Sequence, residues 1–192
     1  IPLCFRTLAD LMLGQVTRLD VVIALGTHPA MDEERICQHL GITRDERATR
    51  YATVGLYNHE YTSGLTLLGT IPEREIAELS NGMLREDLPV EINVRVLDYD
   101  HLMICGPVFP HEIVGFSGGN KYFYPGISGP GVIDVSHWLG ALLTNLWTIG
   151  RQDTPVREML NRAAALIPVE KSCFSMVVVG HHDLAGLFWG TP

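Results

Sequence analysis

Residues 105–137 read CGPVFPHEIVGFSGGNKYFYPGISGPGVIDVSH, and this stretch decides the fold of the chain. It is rich in glycine and proline, and it carries His111, Lys121 and His137. An apolar strand is predicted directly before it, and a helix at 132–146 follows. Strand, glycine-rich loop and helix, in that order, form the arrangement in which open α/β proteins hold phosphate-bearing ligands. Because long ordered loops usually serve a function, we predict that this stretch contains the active site.

Strand and helix patterns alternate along the rest of the chain. The run LDVVIAL at Leu19–Leu25 is continuously apolar and β-branched, which is typical of a strand buried on both faces of a parallel sheet. Further strands are predicted at 52–57, 65–69, 101–108, 174–179 and 184–189, and helices at 3–16, 32–41, 131–146 and 154–166. The patterns of segments 73–79 and 90–97 fit either a strand or a helix. The alternation predicts an α/β fold, a Rossmann-like open and largely parallel sheet with helices on both faces.

The composition is that of a globular protein, and it argues against several classes of function. Of the 192 residues, 46% are hydrophobic and 19% are charged. The net charge of −8 argues against a nucleic-acid surface. No apolar run approaches the roughly 18 residues that a membrane span needs. The four cysteines form no CxxC pair, which predicts reduced thiols and a cytoplasmic protein. We therefore expect neither nucleic acid nor a membrane as a partner.

The loop Gly115–Lys121 has features of an anion-binding loop but departs from the nucleotide triphosphatase pattern. A Walker A loop needs G-x-x-x-x-G-K-[ST], and here Asn120 replaces the second glycine and Tyr122 replaces the hydroxyl residue. The Gly118-Gly119 pair can still present backbone N–H groups to an anion, with Lys121 as a charge or a covalent handle. The alternative interpretation is a tight turn that needs positive φ, beside a solvated lysine.

Three histidines follow or open predicted regular elements. His28 follows the first buried strand, His111 follows the strand at 101–108, and His137 lies in the helix after the loop. In a parallel sheet all three could reach the same edge, although any one of them alone is more often a structural histidine. Two neutral histidines can exchange proton donor and acceptor roles near pH 7, and a third can bind a metal. The sequence His181-His182-Asp183 is predicted to be a polar hairpin turn.

Taken together, these motifs resemble the nickel-pincer lactate racemases and their relatives. The resemblance rests on G-T-H at Gly26–His28, on P-H-x-x-x-G-F/Y-S/G-G-G-x-K at Pro110–Lys121, and on P-G-I/V-S/A-G at Pro125–Gly129. A histidine sixteen residues after the lysine completes the pattern. The resemblance covers the whole chain and implies that residues 1–192 are the N-terminal, cofactor-binding domain of a longer protein. A second domain would follow Pro192.

The resemblance implies a cofactor derived from nicotinic acid mononucleotide, whose pyridinium ring carries two sulfur-bearing arms and a carbon bonded to nickel. Lys121 would be joined to this nickel-pincer nucleotide through a thioamide. Ser117, Gly118 and Gly119 would belong to the loop that binds it. His137 would be the protein ligand to nickel and would complete a square-planar site, a geometry that suits Ni(II).

The resemblance also implies a reaction, the racemisation or epimerisation of a 2-hydroxy acid such as lactate by reversible hydride transfer to the cofactor. His28 and His111 would be the acid/base pair on the two sides of the flat keto acid. Pro29 stands where relatives often have Arg, and the family's Asp and Arg pair would lie before Ile1. The identity of the 2-hydroxy acid therefore stays open. An oligomer is possible. The alternative is a non-catalytic phosphate- or nucleotide-binding α/β module that uses Gly115–Lys121 and needs none of the three histidines.

Overall fold

The structure is a computed structural model that describes residues 1–180 and 183–192. His181 and His182, which the sequence predicts to be in a polar turn, lie outside the described residues. The chain divides into two compact units, Ile1–His59 and Glu60–Pro192. Within the described ranges, no helix is long and apolar enough to cross a membrane.

The first unit combines three helices with a pair of parallel strands. Its elements are α1 (Pro2–Met12), β1 (Asp20–Ile23), α2 (Glu33–Leu40), α3 (Arg44–Ala48) and β2 (Gly55–Asn58). The side chain of Asp32 caps α2 by accepting from the N–H of Arg35, and Gly41 ends the helix at a φ of +67°, as acidic residues before the helix and a glycine after it predict. Phe5 of α1 packs against Tyr51 in the core of this unit.

The second unit holds the glycine-rich stretch. Its elements are β3 (Leu65–Ile71), α4 (Glu73–Leu79), β4 (Leu88–Asn93), β5 (His101–Val108), β6 (Pro110–His111), β7 (Gly115–Phe116), α5 (Pro130–Leu143), α6 (Asn145–Thr148), α7 (Pro155–Ala164), β8 (Glu170–Val178) and β9 (Leu184–Gly190). Helix α5 packs against β4 and α7, and a 3-10 turn at Gly119–Tyr122 also packs against α7. The loop between β5 and α5, which holds most of the glycine-rich stretch, is therefore supported by α7.

The α/β fold predicted from the sequence is confirmed, with a more divided sheet than the sequence suggests. Strands β1 and β2 are parallel, as are β5 and β8, while β3–β4, β6–β7 and β8–β9 are antiparallel. Helices α5 to α7 connect β5 to β8, and a crossover of this length allows parallel pairing, whereas β9 follows β8 through a short connection and must run antiparallel. The residues of β1 are only half-buried, because β1 pairs with β2 alone among the described strands.

Two ambiguous segments and one helix end are defined by the structure. Residues 73–79 form a helix, and 90–97 form the end of β4 followed by a 3-10 turn. The predicted helix at 131–146 ends at Leu143, because Thr144 adopts a φ of +68° that a helix cannot contain. Helix α6 then begins at Asn145.

Gly115→Ala is expected to lower the free energy of unfolding more than Gly82→Ala, in which the only cost is backbone strain. Gly115 has a φ of +86°, and a Cβ there would collide with the carbonyl oxygen of Arg151. Gly82 has a φ of +80° with nothing within 4 Å of an added Cβ, so Gly82→Ala is a matched control that costs about 1–2 kcal/mol. The collision should add about 1–3 kcal/mol to the loss in Gly115→Ala. Urea unfolding measures both, and equal losses in the two variants would contradict the collision.

Candidate functional site

His111 lies on a short hairpin that directly follows β5. In this hairpin His111 of β6 pairs with Gly115 of β7. The Nδ1 atom of His111 accepts a hydrogen bond from the N–H of Ile113 at 3.1 Å. A neutral imidazole that accepts at Nδ1 carries its proton on Nε2. The side chain is 18% exposed, so His111 is a mostly buried imidazole with a defined tautomer.

The surroundings of His111 favour its neutral form. Burial lowers the pKa of His111, and the positive charge of Lys121 lowers it further. The Glu112 carboxylate, 3.8 Å from Nδ1, raises the pKa, whereas His137 and Arg157 each lower it. Burial and the positive charges together outweigh Glu112, so the net direction is downward and the imidazole is neutral at pH 7. His111 therefore lies within electrostatic reach of both Lys121 and His137.

Lys121 lies in the 3-10 turn at Gly119–Tyr122, and its side chain is partly buried. Its backbone N–H donates to the carbonyl of Gly118 at 3.2 Å. Burial lowers the pKa of the Lys121 amine, and the charge of Arg157 lowers it further, against an opposing contribution from Glu112. A larger fraction of this amine is therefore uncharged than in an exposed lysine, and the uncharged amine is the nucleophilic form.

The residues before Lys121 shape a turn that lies close to β5. The hydroxyl of Ser117 donates to the carbonyl of Pro107 at 3.0 Å and accepts from the N–H of Phe109 at 3.0 Å. Gly118 and Gly119 have φ values of +86° and +55°, so the tight turn considered from the sequence is present. The described contacts of Ser117 are structural, and its role in cofactor binding stays a prediction together with that of the two glycines.

His137 projects from α5 in the tautomer that a metal ligand needs. Its Nδ1 lies 2.6 Å from the carbonyl oxygen of Ile133. A carbonyl only accepts, so Nδ1 carries the proton and Nε2 keeps its lone pair. The side chain is exposed. Among the described residues, no group of three or more His, Cys, Asp or Glu side chains is arranged to hold a metal ion.

His28 belongs to the first unit and lies in the turn after β1. Its N–H donates to the carbonyl of Leu25 at 2.9 Å, and its side chain is exposed. The strand before His28 pairs with β2, whereas the strand before His111 pairs with β8. His28 and His111 thus follow strands of different sheets. The prediction that the edge of one parallel sheet brings them together is therefore not supported by the strand pairing. The role of His28 as the second acid/base stays a prediction.

Arg157 is a residue of this site that the sequence motifs do not mark. It lies in the first turn of α7, and its guanidinium donates to the carbonyls of Phe116 and Gly118. A cation in the first turn of a helix opposes the helix dipole. This unfavourable position of a positive charge can be recognised in the sequence. It indicates that the side chain makes a contact outside its own helix.

The chain resembles known proteins along most of its length. The model of the lactate racemase N-terminal domain matches residues 5–146. A solved structure from Thermotoga maritima has a TM-score of 0.86 and 31% identity, covering 98% of this chain and 46% of that one. The lactate racemase apoprotein from Thermoanaerobacterium thermosaccharolyticum has a TM-score of 0.73 and 21% identity, covering 95% of this chain and 41% of that one, and it supports the fold alone.

The matches cover most of this chain but only part of the solved structures. The chain spans less than half the length of either solved structure. No curated protein matches it. The family model, however, covers nearly three quarters of the 192 residues, including His28, His111, Lys121 and His137. The chain belongs to the lactate racemase N-terminal domain family.

Proposed function

We propose that this chain is the cofactor-bearing domain of a nickel-dependent racemase or epimerase of a 2-hydroxy acid, lactate or a relative. Family membership supports a lactate racemase-related role. The observation that carries the finer proposal is the convergence of a partly buried lysine and two histidines, since Lys121 and His137 both lower the pKa of His111. Because the chain spans less than half of each solved structure, a second domain would complete the substrate site.

The chemistry of Lys121 fits a residue that carries a covalent cofactor. Forming an amide-type bond requires the uncharged amine, and burial together with Arg157 shifts Lys121 toward that form. The positive φ values of Gly118 and Gly119 let the backbone turn sharply just before the lysine. When bound there, the nicotinate-derived nickel group would supply a reversible acceptor for the hydride on the α-carbon of the substrate.

The chemistry of His137 fits a single protein ligand to nickel. Imidazole nitrogen suits Ni(II), and the hydrogen bond from Nδ1 to Ile133 leaves the Nε2 lone pair for the metal. The same bond fixes the ring orientation, as partners of metal-binding histidines usually do. His137 would hold the nickel group from α5, and Lys121 would hold it through the amine.

The role of His111 in proton transfer follows from its two tautomers. With Ile113 donating to Nδ1, the proton is on Nε2 and can be donated in a hydrogen bond to a substrate oxygen. His111 becomes a base at Nε2 when its proton is on Nδ1, a tautomer in which the hydrogen bond from the N–H of Ile113 to Nδ1 is lost. His28 would serve the opposite face, because racemisation needs an acid/base group on each side of the planar keto acid.

His137→Ala is expected to lower the nickel content of the full-length protein severalfold or more, because the substitution removes the imidazole proposed to bind the metal. The measurement is elemental analysis after dialysis, on protein made in a host that builds the cofactor. His101→Ala is the matched control, since the Nε2 of His101 lies 2.6 Å from the Ser172 hydroxyl and is not part of the site. A His137→Ala variant with wild-type nickel content would remove the ligand role from this residue.

A further inference from the structure

Arg157 connects α7 to both ends of the turn that leads to Lys121. Its guanidinium donates to the carbonyl of Phe116 on one side and to the carbonyl of Gly118, at 3.1 Å, on the other. The Gly118 carbonyl also accepts from the backbone N–H of Lys121 at 3.2 Å. One carbonyl oxygen is therefore shared between the guanidinium and the lysine backbone, which fixes the lysine turn relative to α7.

A second contact holds the start of α7 against the hairpin that carries His111. The hydroxyl of Thr154 caps α7 by accepting from the N–H of Arg157 at 3.1 Å. The same hydroxyl donates to the carbonyl of Val114 at 3.3 Å, and Val114 lies between β6 and β7. Arg157 is thus held in place by a cap that also contacts the hairpin. The first turn of α7 joins the two segments that carry His111 and Lys121.

The charge of Arg157 also acts on the amine of Lys121. Burial is the larger cause of the lowered pKa of Lys121, and Arg157 is the largest charge contribution. Glu112 acts in the opposite direction, and Lys121 in turn lowers the pKa of His111. The guanidinium is itself mostly buried, so water screens this repulsion less than it would at the surface.

We propose that Arg157 is a positioning residue of this site, which clamps the carbonyls of Phe116 and Gly118 and so fixes the turn that carries Lys121. Held there, its guanidinium also favours the uncharged form of the Lys121 amine. The clamp rests on the hydrogen bonds alone. Its purpose, to present a nucleophilic amine for cofactor attachment, rests on the proposed function. Lysine would not replace arginine here, because a single ammonium lacks the planar fork that reaches two carbonyls at once.

The test measures how readily Lys121 is acylated by acetic anhydride between roughly pH 7 and 11, a range that brackets an ordinary lysine. It uses full-length protein purified without cofactor and reads the modified peptides by mass spectrometry. Lys171 is the other lysine of the sequence; it donates to the carbonyls of Ile167 and Val169 and serves as an internal reference. Arg162→Gln is the matched control, because Arg162 also lies on α7 but pairs with Glu75.

In Arg157→Gln the labelling midpoint of Lys121 should rise by about one pH unit, since a neighbouring positive charge is removed. Labelling well below the midpoint should then fall about tenfold, while Lys171 labels as before. Arg157→Lys keeps the charge, and in that variant amide exchange across residues 116–121 should speed up severalfold. An unchanged Lys121 midpoint in Arg157→Gln, or equal changes in Arg162→Gln, would overturn the proposal.

Misfolding of the Arg157→Gln variant and failure of the proposed function give different results in this test. If Arg157→Gln does not fold, Lys171 changes together with Lys121, and amide exchange in Arg157→Lys then decides: exchange at the wild-type rate overturns the clamp. The assay needs no cofactor, so its outcome is independent of the proposed function. A Lys121 that stays unmodified in a cofactor-producing host would contradict the proposed function without affecting the clamp.

Discussion

His111→Ala is expected to lower the rate of racemisation by about a hundredfold or more while leaving nickel at its wild-type level. General acid–base catalysis by one positioned side chain contributes about 10²–10⁴-fold. The imidazole of His111 is neutral at pH 7 because burial and Lys121 lower its pKa, so alanine removes a group that can exchange protons at working pH. Nickel should remain, because the metal-binding tautomer belongs to His137 and is held by Ile133.

The measurement is the rate at which each isomer of the 2-hydroxy acid is converted by full-length, cofactor-loaded enzyme. His28→Ala should give a loss of similar size if His28 serves the opposite face. His39→Ala is the matched control, because this histidine is exposed in the last turn of α2. Unchanged turnover in both His28→Ala and His111→Ala would contradict the acid/base assignment.

Lys121→Arg is expected to abolish covalent retention of the cofactor, and nickel content should fall with it. The substitution keeps a positive charge near His111 but replaces the amine by a guanidinium, which stays protonated at any working pH and cannot act as the nucleophile. A severe loss of cofactor and nickel would therefore result from the missing bond between residue 121 and the cofactor, because the positive charge is kept.

Lys171→Arg provides the comparison, because the Lys171 ammonium donates to two backbone carbonyls, a contact that arginine can also make. Mass spectrometry of the denatured proteins reports any adduct that survives unfolding, and elemental analysis reports nickel. A stoichiometric adduct in Lys121→Arg would show that attachment does not depend on this residue.

Much of the secondary structure follows from local sequence signals. The apolar run His101–Val108 forms β5 with the predicted bounds, and the acidic residues and glycine around α2 mark its ends. The division of the strands among several sheets was not predictable, because hydrophobic runs indicate strands but not their neighbours. The early end of α5 at Thr144 depends on a positive φ that a threonine rarely adopts.

The site was predictable where one segment of sequence carries it. His111, Lys121 and His137 lie within 27 residues, and the structure brings Lys121 and His137 within electrostatic reach of His111. Arg157 lies beyond α5 and α6, and only the tertiary fold shows that its guanidinium reaches Phe116 and Gly118. The predicted place of His28 beside His111 requires one continuous parallel sheet, whereas the described strands form separate sheets.

Intact mass and peptide mapping of the full-length protein, made in a host that builds the cofactor, test the central claim most directly. We expect a heavy, sulfur-rich adduct on the peptide that carries Lys121, together with bound nickel. An unmodified Lys121 and no nickel under those conditions would contradict it and would favour an anion-binding role for the loop Gly115–Lys121.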